Sequence, residues 1–144
     1  MQDKYSFLKS WFHEYVRSFY STDEQLHFHV RLKEEHTLRV VKHATDIANA
    51  LQLSLLQIEL AKIGALLHDI GRFTQYQTYR TFNDALSANH GELGFAVLEE
   101  SGILSIAGVM PEEQEIIKNT VLYHNRRQLP IAIKEDCSLV AKII

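Results

Sequence analysis

The chain has 144 residues, 46% hydrophobic and 23% charged, which suits one domain with a closed core and excludes a disordered or fibrous chain. Fifteen Lys+Arg against eighteen Asp+Glu give a formal charge of −3, a balance that argues against stable nucleic-acid binding. The single cysteine, Cys137, excludes an internal disulfide and a thiolate zinc cage.

No apolar window is long enough to span a membrane, and the start "MQDKYSFLKSWFHEY" carries acids and lacks the apolar core of a secretory signal. A soluble, cytoplasmic protein is expected. Two prolines and six glycines leave few breakers, and no stretch alternates as a strand, so the expected fold is all-α: a single-domain helical bundle.

The first helix is expected over about 3–20, where Tyr5, Leu8, Trp11, Phe12, Tyr15, Val16 and Phe19 recur at three-and-four spacing as a core face. Ser21-x-x-Glu24 fits a capping box for a short helix through "QLHFHV". A longer helix follows through "EEHTLRVVKHATDIANAL", with Val40, Val41, Ala44, Ile47, Ala48 and Leu51 as its apolar stripe. A second capping box, Ser54-x-x-Gln57, opens "LLQIELAKIGALLHDIG", whose Gly71 suits a left-handed helix stop. After it, "RFTQYQTYRTFND" reads as an ordered loop whose Tyr76, Tyr79 and Phe82 either cover a pocket mouth or anchor the segment. Further helices are expected over about 87–100, ending at Gly102, and from Pro111 to about His124, where Glu112 and Glu113 favour the first turn. A last one starts near Lys134.

Eight histidines are more than twice the roughly three that a chain of this length carries at about 2% abundance. His68 and Asp69 end an almost wholly apolar helix, where burying an imidazole and a carboxylate is costly unless they are paired or bound to a cation. Adjacent helical positions diverge by about 100°, so the two are not expected to face each other, yet both can reach an ion beyond the helix end. His36, His90 and His124 stand on other helices. Two divalent ions between the four elements could use all four histidines with Asp69 as a bridge. His43, His13, His27 and His29 read as core or surface residues, and Trp11 as core.

The order His36, then "HDIGRF" at 68–73, then His90 and His124 resembles the HD superfamily of metal-dependent phosphohydrolases, in particular its HDIG-type members. The likeness covers about residues 32–144, leaving about 1–31 as amino-terminal helices of the same domain. It implies a metal site at the centre of the bundle. His36, His68 and Asp69 would hold a primary ion, and His90 with His124 a second one sharing Asp69, the ions being Mn, Fe, Ni, Zn or Mg. The pattern also has a late aspartate after an apolar helix like "SLVAKII", and the sequence stops at Ile144 before one; Asp136 precedes that helix and reads as a helix-start acid. Either the natural chain runs further or the primary site is one ligand short.

The chemistry so implied is hydrolysis of a phosphomonoester or phosphodiester in a small, nucleotide-like molecule through metal-activated water. Asp69 would fix that water and could take its proton. Arg72, Arg126 and Arg127, each next to a candidate ligand in sequence, would offer donors to phosphoryl oxygens, and Glu92 could orient water or face solvent. A non-catalytic regulatory module built on the same metal site is the alternative, and a binuclear-iron oxygenase ranks below both. Association into a homodimer is compatible with these features.

Overall fold

The computed structural model describes residues 3–126, 139–140 and 142–144. Among the described residues the helices follow in this order: α1 Lys4–Arg17, α2 Glu24–Ala50, α3 Leu55–Leu67, α4 Gly71–Tyr79, α5 His90–Ser101, the short α6 Ile103–Ile106, and α7 Pro111–Tyr123. A 3-10 turn at Asp84–Leu86 precedes α5, and no strand occurs among the described residues. The all-α bundle is the architecture expected from the sequence.

α3 is the central helix. Leu60, Ala61, Ile63, Gly64, Ala65, Leu66 and Leu67 are all buried, so its apolar surface is covered by α1, α2 and α7. Its start carries the capping box foreseen at Ser54 and Gln57, with both reciprocal hydrogen bonds present at 3.1 and 3.0 Å. α1 lays its foreseen aromatic face on the bundle: Leu8, Phe12 and Val16 are buried, and Phe12, Tyr15 and Phe19 gather around Phe73 of α4. Trp11 stacks on Tyr15 with ring centroids 5.1 Å apart, packed against the core. Val140 and Ile144 pack near Gly64 of α3.

Three expectations are corrected. The short helix after Ser21 and the long one after it are a single 27-residue helix, α2, capped by Asp23, whose side chain accepts from the Leu26 N–H. Leu26, Val30, Thr37, Val41, Ala44 and Ala48 are buried along one face of it. Ile47 and Leu51, assigned to the core stripe, are exposed.

Gly71 is not a left-handed stop, since positive φ among the glycines is confined to Gly102 and Gly108. α3 ends four residues earlier, at Leu67, and Gly71 begins α4, within the segment read as a loop. The glycine is needed for space. A Cβ there would lie 2.2 Å from the His90 carbonyl oxygen and 2.5 Å from the Gly94 nitrogen, because the start of α4 abuts the start of α5. The sequence period failed in α4 because its buried residues, Phe73, Gln75 and Tyr76, include a glutamine.

The helices ending at Gly102 and Tyr123 stand close to their expected limits. Most of the helix expected from Lys134 lies outside the described residues.

Gly71→Ala should therefore lower stability by about 1–3 kcal/mol through overpacking against backbone that cannot rotate away. Urea unfolding should show a lower midpoint at unchanged slope.

Candidate metal centre

α3 stops at Leu67 because the chain turns there: His68 is its C-cap at φ −57° and ψ −37°, Ile70 N–H bonds to Leu67 O, and α4 starts two residues beyond Asp69. With the helix ended, His68 and Asp69 do face each other, His68 Nε2 lying 3.3 Å from Asp69 Oδ2. Contact between the starts of α4 and α5 brings in His90. A second close approach brings in His124: a Cβ on Gly91 would lie 2.7 Å from the Leu122 carbonyl, so α5 begins against the end of α7. His36 arrives from the middle of α2.

Asp69 is 4% exposed, and its two oxygens divide these neighbours. Oδ2 faces His36 Nε2 at 3.5 Å, His68 Nε2 at 3.3 Å and Lys33 Nζ at 3.4 Å. Oδ1 faces His90 Nε2 at 3.3 Å, His124 Nε2 at 3.4 Å and Arg72 Nε at 3.7 Å. Two ligand triads result, His36–His68–Asp69 and Asp69–His90–His124, in each of which one ligand atom per residue lies within 4.8 Å of the others.

The far side of each ring shows which nitrogen is free. His68 Nδ1 donates to Ala65 O at 2.6 Å, and His124 Nδ1 donates to Val121 O at 2.8 Å. His90 Nδ1 donates to the Asp84 carboxylate, with both oxygens at 2.9 Å. Carbonyls and carboxylates only accept, so in the neutral rings the hydrogen is on Nδ1 and the Nε2 lone pair points to Asp69. A partner on the outer nitrogen that fixes the tautomer is how histidine ligands to metals are ordinarily oriented.

Burial works against an ionised Asp69. Pairing with the rings of His124, His68 and His90 lowers its pKa only while a ring carries a proton on Nε2; with the Nε2 lone pairs turned inward, a cation would take the part of that proton. Burial lowers the pKa of His124, and burial with the neighbouring Lys33 ammonium lowers that of His36, so both rings are neutral at pH 7 with a lone pair to offer.

The donor set fits a divalent ion. His90 Nε2 and His124 Nε2 are 3.1 Å apart, an approach of two acceptors beside a carboxylate that a cation between them would satisfy. Nitrogen or oxygen ligands about 2.0–2.2 Å from an ion stand about 3.0 Å apart at a right angle and about 3.4 Å apart at a tetrahedral one. The spacings of 3.1, 3.3 and 3.4 Å in the second triad match the edges of such a polyhedron. Imidazole and carboxylate suit Mn, Fe, Ni or Zn.

Outside this ring the other expected residues take different places. Arg72 Nη1 donates to Gln75 Oε1 at 2.8 Å, Phe82 O at 2.6 Å and Asp84 Oδ1 at 3.3 Å; its Nε is buried without a hydrogen-bond partner. Arg126 lies at the surface, 3.5 Å from Glu92, and Arg127 is outside the described residues. Tyr76 and Phe82 pack together with His29, which stacks on Tyr76 at 4.1 Å, while Tyr79 is exposed. His43 is exposed, His13 pairs with Glu34 at 3.1 Å, and the His27 ring lies 4.8 Å from that of Tyr20.

Asp84 and Lys33 were not singled out in the sequence. Asp84 accepts from Gln75 Nε2 at 2.8 Å and from Asn125 Nδ2 at 3.2 Å, so α4 and the residue after His124 both brace the acid that orients His90. No local signal marks it, because its ties span 9 and 41 residues of sequence. Lys33 had one: it lies three positions before His36, on the same helical face.

No helix among the described residues is long and apolar enough to cross a membrane. Comparison with curated proteins and with solved structures found no match. Comparison with protein-family models did: the HD domain model matches residues 34–144, from just before His36 to Ile144 and across both ligand triads. The chain belongs to the HD domain family, whose members are generally metal-dependent phosphohydrolases.

Proposed function

We propose that this chain is a metal-dependent phosphohydrolase that cleaves a phosphomonoester or phosphodiester in a small, nucleotide-like molecule. The observation that carries the reading is the division of Asp69, one carboxylate oxygen toward each triad, which is the arrangement a bridge between two ions requires. Membership of the HD family supports the phosphoryl chemistry. His36, His68 and Asp69 would hold one ion, and Asp69, His90 and His124 the other. When bound, the ions would supply an activated water and a positive seat for phosphoryl oxygens.

The protein's own groups then have distinct tasks. Asp69 anchors the centre, one oxygen toward each triad, and could take the proton of the water that the ions would activate. Ala65 O, Val121 O and Asp84 hold three imidazoles in the tautomer that presents Nε2. Arg72 steadies Asp84 through Nη1 and adds positive charge beside Asp69. Arg126 serves at the rim: its contact with Glu92 joins two largely exposed side chains, so an incoming phosphate can displace it. Arg127, next to it in sequence, is assigned the same role.

Elemental mass spectrometry of the purified full chain, before and after incubation with Mn, Fe, Ni, Zn or Mg, should find one to two equivalents of metal. The loaded protein should hydrolyse p-nitrophenyl phosphate or its bis ester. Asp69→Asn should lose both the metal and the hydrolysis while keeping the helical circular dichroism spectrum. Metal retained without turnover of either ester would identify a regulatory module instead, and no retained metal would end both readings.

Asp84→Asn should cut metal affinity by about 10–100-fold, since the acid orients His90 from its far side. Titration of the metal-stripped variant with zinc, against the unaltered chain, checks this.

A further inference from the structure

Lys33 cannot hold a metal, because an ammonium has no lone pair, yet it stands within the ring around Asp69. On α2 it shares a face with His29 and His36, four residues after the one and three before the other. Its Nζ is 3.4 Å from Asp69 Oδ2, the oxygen that also faces His36 and His68. The side chain is 18% exposed, and the ammonium lies 5.2 Å from the centre of the Phe82 ring. Phe82 is fixed in turn: its carbonyl accepts from Arg72, and its ring packs on Tyr76. Lys33 is thus confined beside the centre and still reaches solvent.

Its present partner is one that a cation would take. A divalent ion seated between His36, His68 and Asp69 competes for the same oxygen and repels the ammonium from it. The ionised groups of the centre, Asp69 and Asp84 against Lys33 and Arg72, already cancel, so any divalent ion leaves an excess of positive charge that only an anionic ligand offsets. Arg72 has its Nη1 committed to three acceptors, whereas Lys33 Nζ donates to the one oxygen that the ion would take and otherwise lies over the Phe82 ring. An ammonium on a flexible stem can turn to a new acceptor without rebuilding its surroundings.

We propose that Lys33 Nζ is the side-chain cation that binds the phosphoryl oxygens of the substrate, exchanging Asp69 for that anion when the centre is loaded. The inference rests on the metal-dependent reading of the centre. It concerns anion binding, so it can fail or stand separately from hydrolysis.

The test uses the full chain loaded with manganese, with inorganic phosphate as the probe. Lys33→Met, Lys33→Gln and Lys33→Arg are compared with the unaltered protein for manganese content by elemental mass spectrometry and for phosphate affinity by titration calorimetry. Lys33→Met and Lys33→Gln should keep the manganese content and bind phosphate about tenfold or more weakly, the size expected for one charge-assisted contact. Lys33→Arg should recover most of the affinity. Unchanged phosphate affinity in the Met and Gln variants would overturn the proposal, as would a change confined to manganese affinity, which would make Lys33 a placeholder for the ion. Absence of any phosphate binding by the loaded, unaltered protein would also overturn it. Lys33-dependent phosphate binding without ester hydrolysis would sustain Lys33 and sink the hydrolase reading. Ester hydrolysis with Lys33-independent phosphate binding would do the reverse.

Discussion

A carboxylate 4% exposed at the junction of four helices is the constraint around which this structure is arranged. An ionised Asp69 in that position is tolerable only if its charge is met; Lys33 stands at one oxygen and Arg72 at the other, and a cation among the neighbouring imidazole rings would complete the compensation. Those imidazoles present lone pairs rather than apolar edges, since the outer nitrogens of His68, His90 and His124 are already engaged. What looks like an expensive cluster of polar groups is therefore one device, an acceptor-lined centre whose natural complement is a cation.

Such a device needs backbone brought unusually close. The starts of α4 and α5 meet at Gly71, and α5 meets the end of α7 at Gly91, with separations that leave no room for a Cβ. These two contacts bring His90 and His124 to Asp69. The apolar α3 fixes the third direction, because its burial against α1, α2 and α7 leaves its C-terminal end pointing at the same place. The long, unbroken α2 carries His29, Lys33 and His36 along one side of it.

Around the ligand ring lies a shell whose function is orientation. Asp84, held by Gln75, Arg72 and Asn125, joins α4, the turn before α5 and the end of α7 at one carboxylate. The shell accounts for a buried glutamine in α4, which would otherwise be a poor choice for a core position. Arg72, whose place next to the HD pair suggests a clamp on the substrate, is tied to this shell through Nη1, and Lys33 stands at the other oxygen of Asp69.

Local order carried a good part of this in the sequence. The aromatic face of α1, the capping box at Ser54 and Gln57, the start of α7 at Pro111 and the all-helical class follow from spacing and composition over short windows, and they stand. The candidate ligands His36, His68, Asp69, His90 and His124 were legible because of their order along the chain and their likeness to a known pattern, and the fold brings all five side chains together. Two local signals misled. The Ser21 capping box marked a helix start that Asp23 in fact caps, and the short helix expected after it runs on unbroken through α2; Gly71 was read through φ when its role is steric. Tertiary structure alone decided that Asp69 divides its oxygens between two pairs of rings, that Asp84 braces His90, and that Lys33 faces the centre. Sequence determines which helices form, because caps and apolar periods act over a few residues; which side chains meet is decided by how closely those helices can approach, a property of the packed backbone.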